Sequence, residues 1–131
     1  MVKQKPKKLL LEELARIGKG LASAPRLELL ELLAQGERPV EALAREAGLS
    51  LANTSHHLQV LRRARLVEGR KQGPFVRYSL VGPEVFSLTH AIRRLGESHL
   101  AEVERLVRTF FTSRDELEPL GRESLLERVR E

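Results

Sequence analysis

The chain has 131 residues, no cysteine, and 23 Lys and Arg against 18 Asp and Glu, for a formal net charge of +5. That length suits one compact domain with its own core, and the missing thiols exclude disulfides, thiol switches and thiolate metal sites within it. The basic balance favours a polyanionic partner without choosing DNA over RNA or an anionic membrane.

No run of about eighteen apolar residues exists to span a membrane. Leu9-Leu10-Leu11 meets Glu12-Glu13 too soon for a secretory segment, so the cytoplasm is the expected compartment. Residues 1–8 form a basic arm without apolar periodicity. It is expected to be disordered, either as a solvated tail or as a source of nonspecific attraction to phosphates. Leu10, Leu14, Ile17 and Leu21 then recur at spacings of four, three and four, which predicts an amphipathic first helix. Ser23 is placed to cap a second helix, with Pro25 tolerated in its first turn. Leu27, Leu29, Leu30, Leu32 and Leu33 make that helix apolar on more than one side, so it should be central, and Gly36 ends it.

Residues 39–81 are the organising stretch. A short helix over Pro39–Ala47 is followed by a Gly48-Leu49 turn, and Ser50 is placed to cap a longer helix over Leu51–Ala64. Helix, glycine turn and helix make a helix-turn-helix, whose second helix can enter a DNA major groove. Thr54, Leu58 and Leu61 share one face of it and should pack inward. His57 belongs near that face and reads as structural. Ala52, Asn53, His56, Gln59 and Arg63 point the other way with Ser55 on the flank, a polar set suited to base edges and phosphates.

After Leu66 the period changes to two. Val67–Gln72 and Phe75–Val81 read as strands around a Gly73-Pro74 turn, with Val76, Tyr78 and Leu80 alternating against Arg77 and Ser79. A basic hairpin at this place is a wing, whose Arg70, Lys71 and Arg77 are candidates for flanking phosphates. A long helix is expected from Pro83-Glu84, with Val85, Leu88, Ile92, Leu95, His99, Val103, Leu106 and Phe110 along one seam. That seam exceeds what one small domain needs and implies a partner helix. Leu10, Leu14, Leu88, Ile92, Leu95, His99, Val103 and Leu106 are therefore the candidate dimer interface. Residues 112–131 read as a linker and a charged tail helix, since Pro119 and Gly121 prevent continuation.

The run Gly48-Leu49-Ser50, Thr54-Ser55-His56-His57-Leu58-Gln59-Val60-Leu61-Arg62 and Ala64-Arg65-Leu66-Val67 resembles the ArsR/SmtB family of winged-helix transcriptional regulators. Thr54 stands where the family usually has Val, and Arg65 where Gly is common. The resemblance covers residues 9–111. It implies a winged helix-turn-helix, mainly α with a small β-hairpin and with added N- and C-terminal dimerisation helices. Arg26 resembles an Arg of the family, without an assigned role. Many members release DNA on binding a metal, but the positions matching the family's thiolate site are Pro39 and Glu41. Of the family's second site only His99 and Glu102 match; the other half falls on Phe86 and Leu88, and His90 lies two residues past the expected place. Two ligands fall short of the tetrahedral set that zinc requires. The tail also resembles the segment that joins ArsR-type domains to a rhodanese (sulfurtransferase) domain in fusion proteins, which would make a rhodanese domain a fused or separate partner.

These readings converge on a homodimeric, sequence-specific regulator, a repressor released by a non-metal signal, without a cofactor. It would act on double-stranded DNA carrying an inverted repeat, through Ser50, Asn53, Ser55, His56 and Gln59 in the groove and Arg62, Arg63, Arg70, Lys71 and Arg77 on the backbone. The alternative is a protein-interaction module of a longer protein that does not bind specific DNA. An enzyme is not expected, because Ser55 beside His56 lacks a third orienting group and a pocket.

Overall fold

The computed structural model describes residues 5–113. In chain order the elements are α1 (Pro6–Leu21), α2 (Ala24–Ala34), β1 (Arg38–Pro39), α3 (Val40–Ala47), α4 (Leu51–Arg63), β2 (Val67–Gln72), β3 (Phe75–Leu80) and α5 (Pro83–Ser113). The described residues fall in two compact units that divide between Thr89 and His90.

The first unit is built around α2, as its many-sided apolar sequence requires. Leu29, Leu30 and Leu33 are buried there against Leu43 of α3, Leu58 and Leu61 of α4, Val67 of β2, Tyr78 of β3 and Val85 of α5. Five of these leucines, at 29, 30, 43, 58 and 61, are fully buried. Each contributes about 1.5–3 kcal/mol of transfer free energy, so the relative placement of the helices is set mainly by apolar contact. Both expected serine caps form: Ser23 Oγ accepts the Arg26 N–H at 3.4 Å and Ser50 Oγ accepts the Asn53 N–H at 3.0 Å. Thr54 is fully buried, and its hydroxyl donates to the Ser50 carbonyl at 2.8 Å. That bond satisfies the polar atom, so the threonine occupies an apolar position without an orphaned group.

Several boundaries differ from the sequence expectation. The first helix opens at Pro6, so Lys7 and Lys8 belong to it rather than to the arm. Pro39 is the cap of α3 and a residue of β1, where its missing N–H costs nothing. The hairpin has a third strand, giving an antiparallel sheet of order β1-β3-β2 with Arg38 opposite Tyr78 and Pro39 opposite Arg77. Two residues are too few to leave an alternating pattern, which is why β1 is invisible in the sequence. Arg38 fixes this corner: its guanidinium donates to the Leu32 carbonyl at the end of α2 and pairs with Glu46 of α3 at 3.0 Å. Thr112 and Ser113 continue α5, whereas Met1–Gln4 of the arm and the expected tail from Arg114 onward lie outside the described residues.

Two helices end in the same way with different residues. Gly48 closes α3 at φ 67°, with Leu49 N–H bonded to the Ala44 carbonyl at 2.9 Å. Arg65 follows α4 at φ 61°; its N–H reaches the Arg62 carbonyl at 2.9 Å, and Leu66 N–H reaches Leu61 at 3.0 Å. This paired pattern requires a left-handed residue, which glycine adopts freely and arginine does not. The glycine common at this position in the family thus has a backbone reason.

In the second unit, the described part of α5 carries Arg93–Glu97 at 3.5 Å, Arg108–Glu104 at 2.5 Å and an Arg105–Glu102 pair. Each adds a few tenths of a kcal/mol to an exposed helix. Leu95 and Leu106 are each 60% exposed on it.

Replacing Arg65 by glycine is expected to raise stability by about 0.5–1 kcal/mol, because release of left-handed strain exceeds the added freedom of the unfolded chain. Urea unfolding followed by circular dichroism checks this; a lower midpoint would mean that the arginine side chain holds the turn.

Candidate nucleic-acid interface

The packing of Thr54, Leu58 and Leu61 against α2 and α3 turns the opposite face of α4 to solvent. Ala52, Asn53, His56, Gln59 and Arg63 are exposed along it, and Ser55 is half-buried on the flank. Arg62, seven residues from Ser55, is exposed on the same flank. Ser50 is exposed, but its hydroxyl is occupied as the cap. Ser55 and His56 are neighbours on this open face and make no hydrogen bond to each other. The face is therefore rigidly backed and rich in donors and acceptors, as groove reading requires.

The wing arginines are less free than the sequence suggests. Arg70 and Arg77 are cross-strand partners and, with Gly69 opposite Tyr78 and Lys71 opposite Val76, lie on the sheet face opposite to Tyr78. Two like charges so placed repel. Glu37, in the link before β1, resolves this: its Oε1 takes Arg70 Nη2 at 2.6 Å and Arg77 Nε at 2.9 Å, and its carbonyl accepts from Arg77 Nη2 at 3.2 Å. Hydrogen bonds from Arg70 and then Arg77 hold the Glu37 carboxyl below its ordinary value of 4.5. Lys71 is on the other face, exposed and outside any ion pair among the described residues. Glu37 was missed from sequence because its partners lie 33 and 40 residues away; only the strand register brings them together.

Arg26 gains a role. Its guanidinium donates to the Gly20 carbonyl at 2.7 Å and the Lys19 carbonyl at 3.0 Å, the last turn of α1, and meets His57 Nδ1 of α4 at 3.4 Å. A guanidinium can only donate, so Nδ1 accepts and the neutral ring carries its proton on Nε2. Burial, with the Arg26 and His56 charges adding, holds the His57 imidazole below its ordinary value of 6.5.

Of the candidate interface residues, Leu10 is 59% exposed and Leu14 50%, both on α1. On α5, Leu95, His99 and Leu106 are exposed while Leu88, Ile92 and Val103 are half-buried. His99 and Glu102 are both exposed, and Glu102 is taken by Arg105. Among the described residues no three His, Asp or Glu side chains converge as metal ligands, and no helix is long and apolar enough to cross a membrane.

Helix pair, capped second helix and three-stranded wing define a winged helix-turn-helix protein. A family model described as bacterial regulatory protein, arsR family, matches residues 24–69. The HTH-type transcriptional regulator Rv0324 of Mycobacterium tuberculosis is 43% identical over 97 residues, covering 74% of this chain and 43% of the relative. A probable mercury resistance operon repressor of Streptomyces lividans is 33% identical over 90 residues, covering 69% of this chain and 72% of the relative. Among solved structures, the homodimeric winged helix-turn-helix DNA-binding domain of Mb0332 from Mycobacterium bovis aligns with a TM-score of 0.70 at 41% identity, over 78% of this chain and 95% of that one. The chain belongs to the ArsR family. It spans less than half the length of the Rv0324 protein.

Two outcomes follow for the site. Since the His57 pKa is lowered in the fold, its contribution is intact above about pH 6.5 and is lost as pH falls from there toward the lower folded value. Urea midpoints should therefore drop between pH 7.5 and 5.5, and His57→Asn, which keeps an acceptor for Arg26, should flatten that drop; an unchanged slope would remove His57 from the account. Glu37→Gln should leave Arg70 and Arg77 repelling and speed amide exchange in β2 and β3. Because the Glu37 pKa is lowered, wild-type protection should be intact above pH 4.5 and fade as pH falls through the folded value. Equal exchange in variant and wild type at neutral pH would show that the carboxylate does not order the wing.

Proposed function

We propose that the chain is a homodimeric, sequence-specific DNA-binding repressor of the ArsR type, acting in the cytoplasm on an inverted-repeat operator. The observation that carries this reading is the exposed Asn53–His56–Gln59 face of α4, fixed from behind by fully buried Leu58 and Leu61. Asn53, Ser55, His56 and Gln59 meet base edges. Ser50 orients the first turn of that helix, and its own contact is to the backbone through the turn's N–H groups. Arg62, Arg63 and Lys71 meet phosphates. Arg70 and Arg77, held by Glu37, set the position of the wing and approach the backbone from a fixed geometry.

The dimer is supported by the apolar side chains that α1 and α5 leave in solvent. Leu10, Leu14, Leu95 and Leu106, with Leu88, Ile92, Val103 and His99 beside them, bury against a second copy. On each helix, large apolar side chains left in solvent among the described residues are costly for a monomer. Two-fold symmetry then sets half-sites about one helical turn, or a multiple of it, apart. The releasing signal in this reading is not a metal, since only His99 and Glu102 match the family's ligand positions, and Pro39, Glu41, Phe86 and Leu88 stand at the others.

A second reading is favoured by one observation: more than half of the Rv0324 relative extends beyond the part that this chain matches. In that reading the same domain is the regulatory piece of a longer polypeptide, with the tail leading to a rhodanese domain that receives the signal.

Fluorescence anisotropy with labelled DNA from upstream of the gene, against a scrambled duplex, tests the function. Specific, saturable binding of two protomers per duplex with steep salt dependence is expected. Asn53→Ala should then change sequence preference by on the order of 1–3 kcal/mol at one base pair. Lys71→Gln should instead weaken all duplexes alike and lower the salt slope by about 1 per phosphate lost. Equal, weak binding to both duplexes would defeat the repressor reading.

A further inference from the structure

We propose that the cleft where the end of α1 meets the end of α4 is a second anion site, which seats a backbone phosphate of the same duplex that α4 reads. This rests on the DNA-binding reading of α4 and extends it to residues of α1, which the sequence assigns to dimerisation alone.

The cleft has a volume of about 140 Å³ and is lined by Arg16, Lys19 and Gly20 of α1 and by Val60, Arg63 and Ala64 at the end of α4. Its floor is made by the smallest side chains available. A Cβ on Gly20 would stand 2.8 Å from the Ala64 Cβ, closer than two carbons approach, so only glycine lets the helices come this near. The near approach gathers three cations. Arg16 and Lys19 are three residues apart and share one side of α1; Arg63 comes from α4. All three side chains are exposed, and none is engaged by a carboxylate among the described residues. The arginines at 38, 70 and 77, by contrast, are each held by a glutamate.

Three unneutralised cations around one small apolar floor repel one another, and a single tetrahedral anion with several acceptor oxygens relieves all three. A helix C-terminus ordinarily opposes an anion, because its last carbonyls are partially negative. Here Arg26 occupies the Lys19 and Gly20 carbonyls, so that end of α1 is neutralised from behind. The source of the anion is set by continuity. Arg63 lies seven residues, two turns, beyond His56 and so on the same outward face of α4. The groove-reading surface therefore runs without a break onto Arg16 and Lys19, and a duplex seated on that face presents its sugar–phosphate strand at the rim.

The test is the double substitution Arg16→Gln with Lys19→Gln in the full chain, with circular dichroism and thermal melting to establish that it folds. Binding to the specific and the scrambled duplex is measured from about 50 to 200 mM salt, beside a matched variant that loses two α5 cations, Arg94→Gln with Arg108→Gln. One phosphate released in each protomer of a dimer should lower the slope of log K against log salt by about 2. Affinity should fall about tenfold at the low-salt end, and the preference for specific over scrambled DNA should stay unchanged. The matched variant should keep the wild-type slope. Unchanged slope and affinity in the cleft variant, with wild type still binding specifically, would overturn the cleft and leave the repressor reading standing. Wild-type binding without preference would overturn both. Saturable shifts of the Gly20 and Ala64 amide signals with inorganic phosphate, in a chain whose double variant binds DNA like wild type, would make the cleft a free-anion site and overturn the proposal as well.

Discussion

One guanidinium joins the three helices on which the interface depends. Arg26 leaves α2 just after its cap, satisfies two carbonyls at the end of α1, and meets the His57 ring on the inner side of α4. Apolar contact holds α1 less firmly than the other helices of the core, because only Ile17 and Leu21 of α1 pack against it and both are partly buried. Directed bonds to Lys19 and Gly20 add to that hold. They also fix where the Gly20–Ala64 contact falls, and with it the distance between the cations of α1 and the outward face of α4. His57 faces Arg26 as a neutral acceptor, so this hub holds two positive groups apart by denying one of them its proton.

The wing follows the same logic with the opposite charge. Arg70 and Arg77 are placed opposite each other by strand register, and in water such a pair contributes nothing favourable. The Glu37 carboxylate converts the pair into a bridge between the wing and the chain entering β1. The bonds are exposed, so their worth to global stability is small. Their value is geometric: they hold the hairpin at one orientation while Lys71, on the other sheet face, keeps its charge unspent. A wing thus positioned need not be ordered anew on binding, which spares the side-chain and loop entropy that recognition otherwise costs.

Most of the helical frame was legible in the sequence, because capping and period are local properties. Ser23 and Ser50 marked two helix starts, and the buried trio of α4 could be counted from spacings of three and four. Features made by long-range register were not legible. The two-residue β1 has no period of its own, and the Glu37 clamp and the Arg26–His57 contact join residues far apart in sequence. The wing arginines looked equivalent to Lys71 because composition cannot say which face a charge occupies or whether a carboxylate has already claimed it. Arg65 lay between these cases. Its departure from the family's glycine was visible, but the left-handed backbone that makes it a strained position was not.

In the proposed function, the size of the reading face gives a physical reason for a second copy. Asn53, His56 and Gln59 are the exposed candidates for base contact on α4, and good base contacts discriminate by about 1–3 kcal/mol each. With ordinary contacts toward the weak end of that range, one protomer falls short of the roughly 4–10 kcal/mol that separates specific from nonspecific binding. A symmetric pair doubles the set without a new residue, provided that the two faces are held rigidly at one spacing. In that reading the rigidity comes from α1 and α5, which leave Leu10, Leu14, Leu95 and Leu106 exposed among the described residues. α1 then serves both demands along its length: leucines near its start for the partner, and cations near its end beside α4. Any movement of α1 that loosened the pair would also shift Arg16 and Lys19 against Arg63, so loss of the dimer geometry and loss of backbone attraction would occur together.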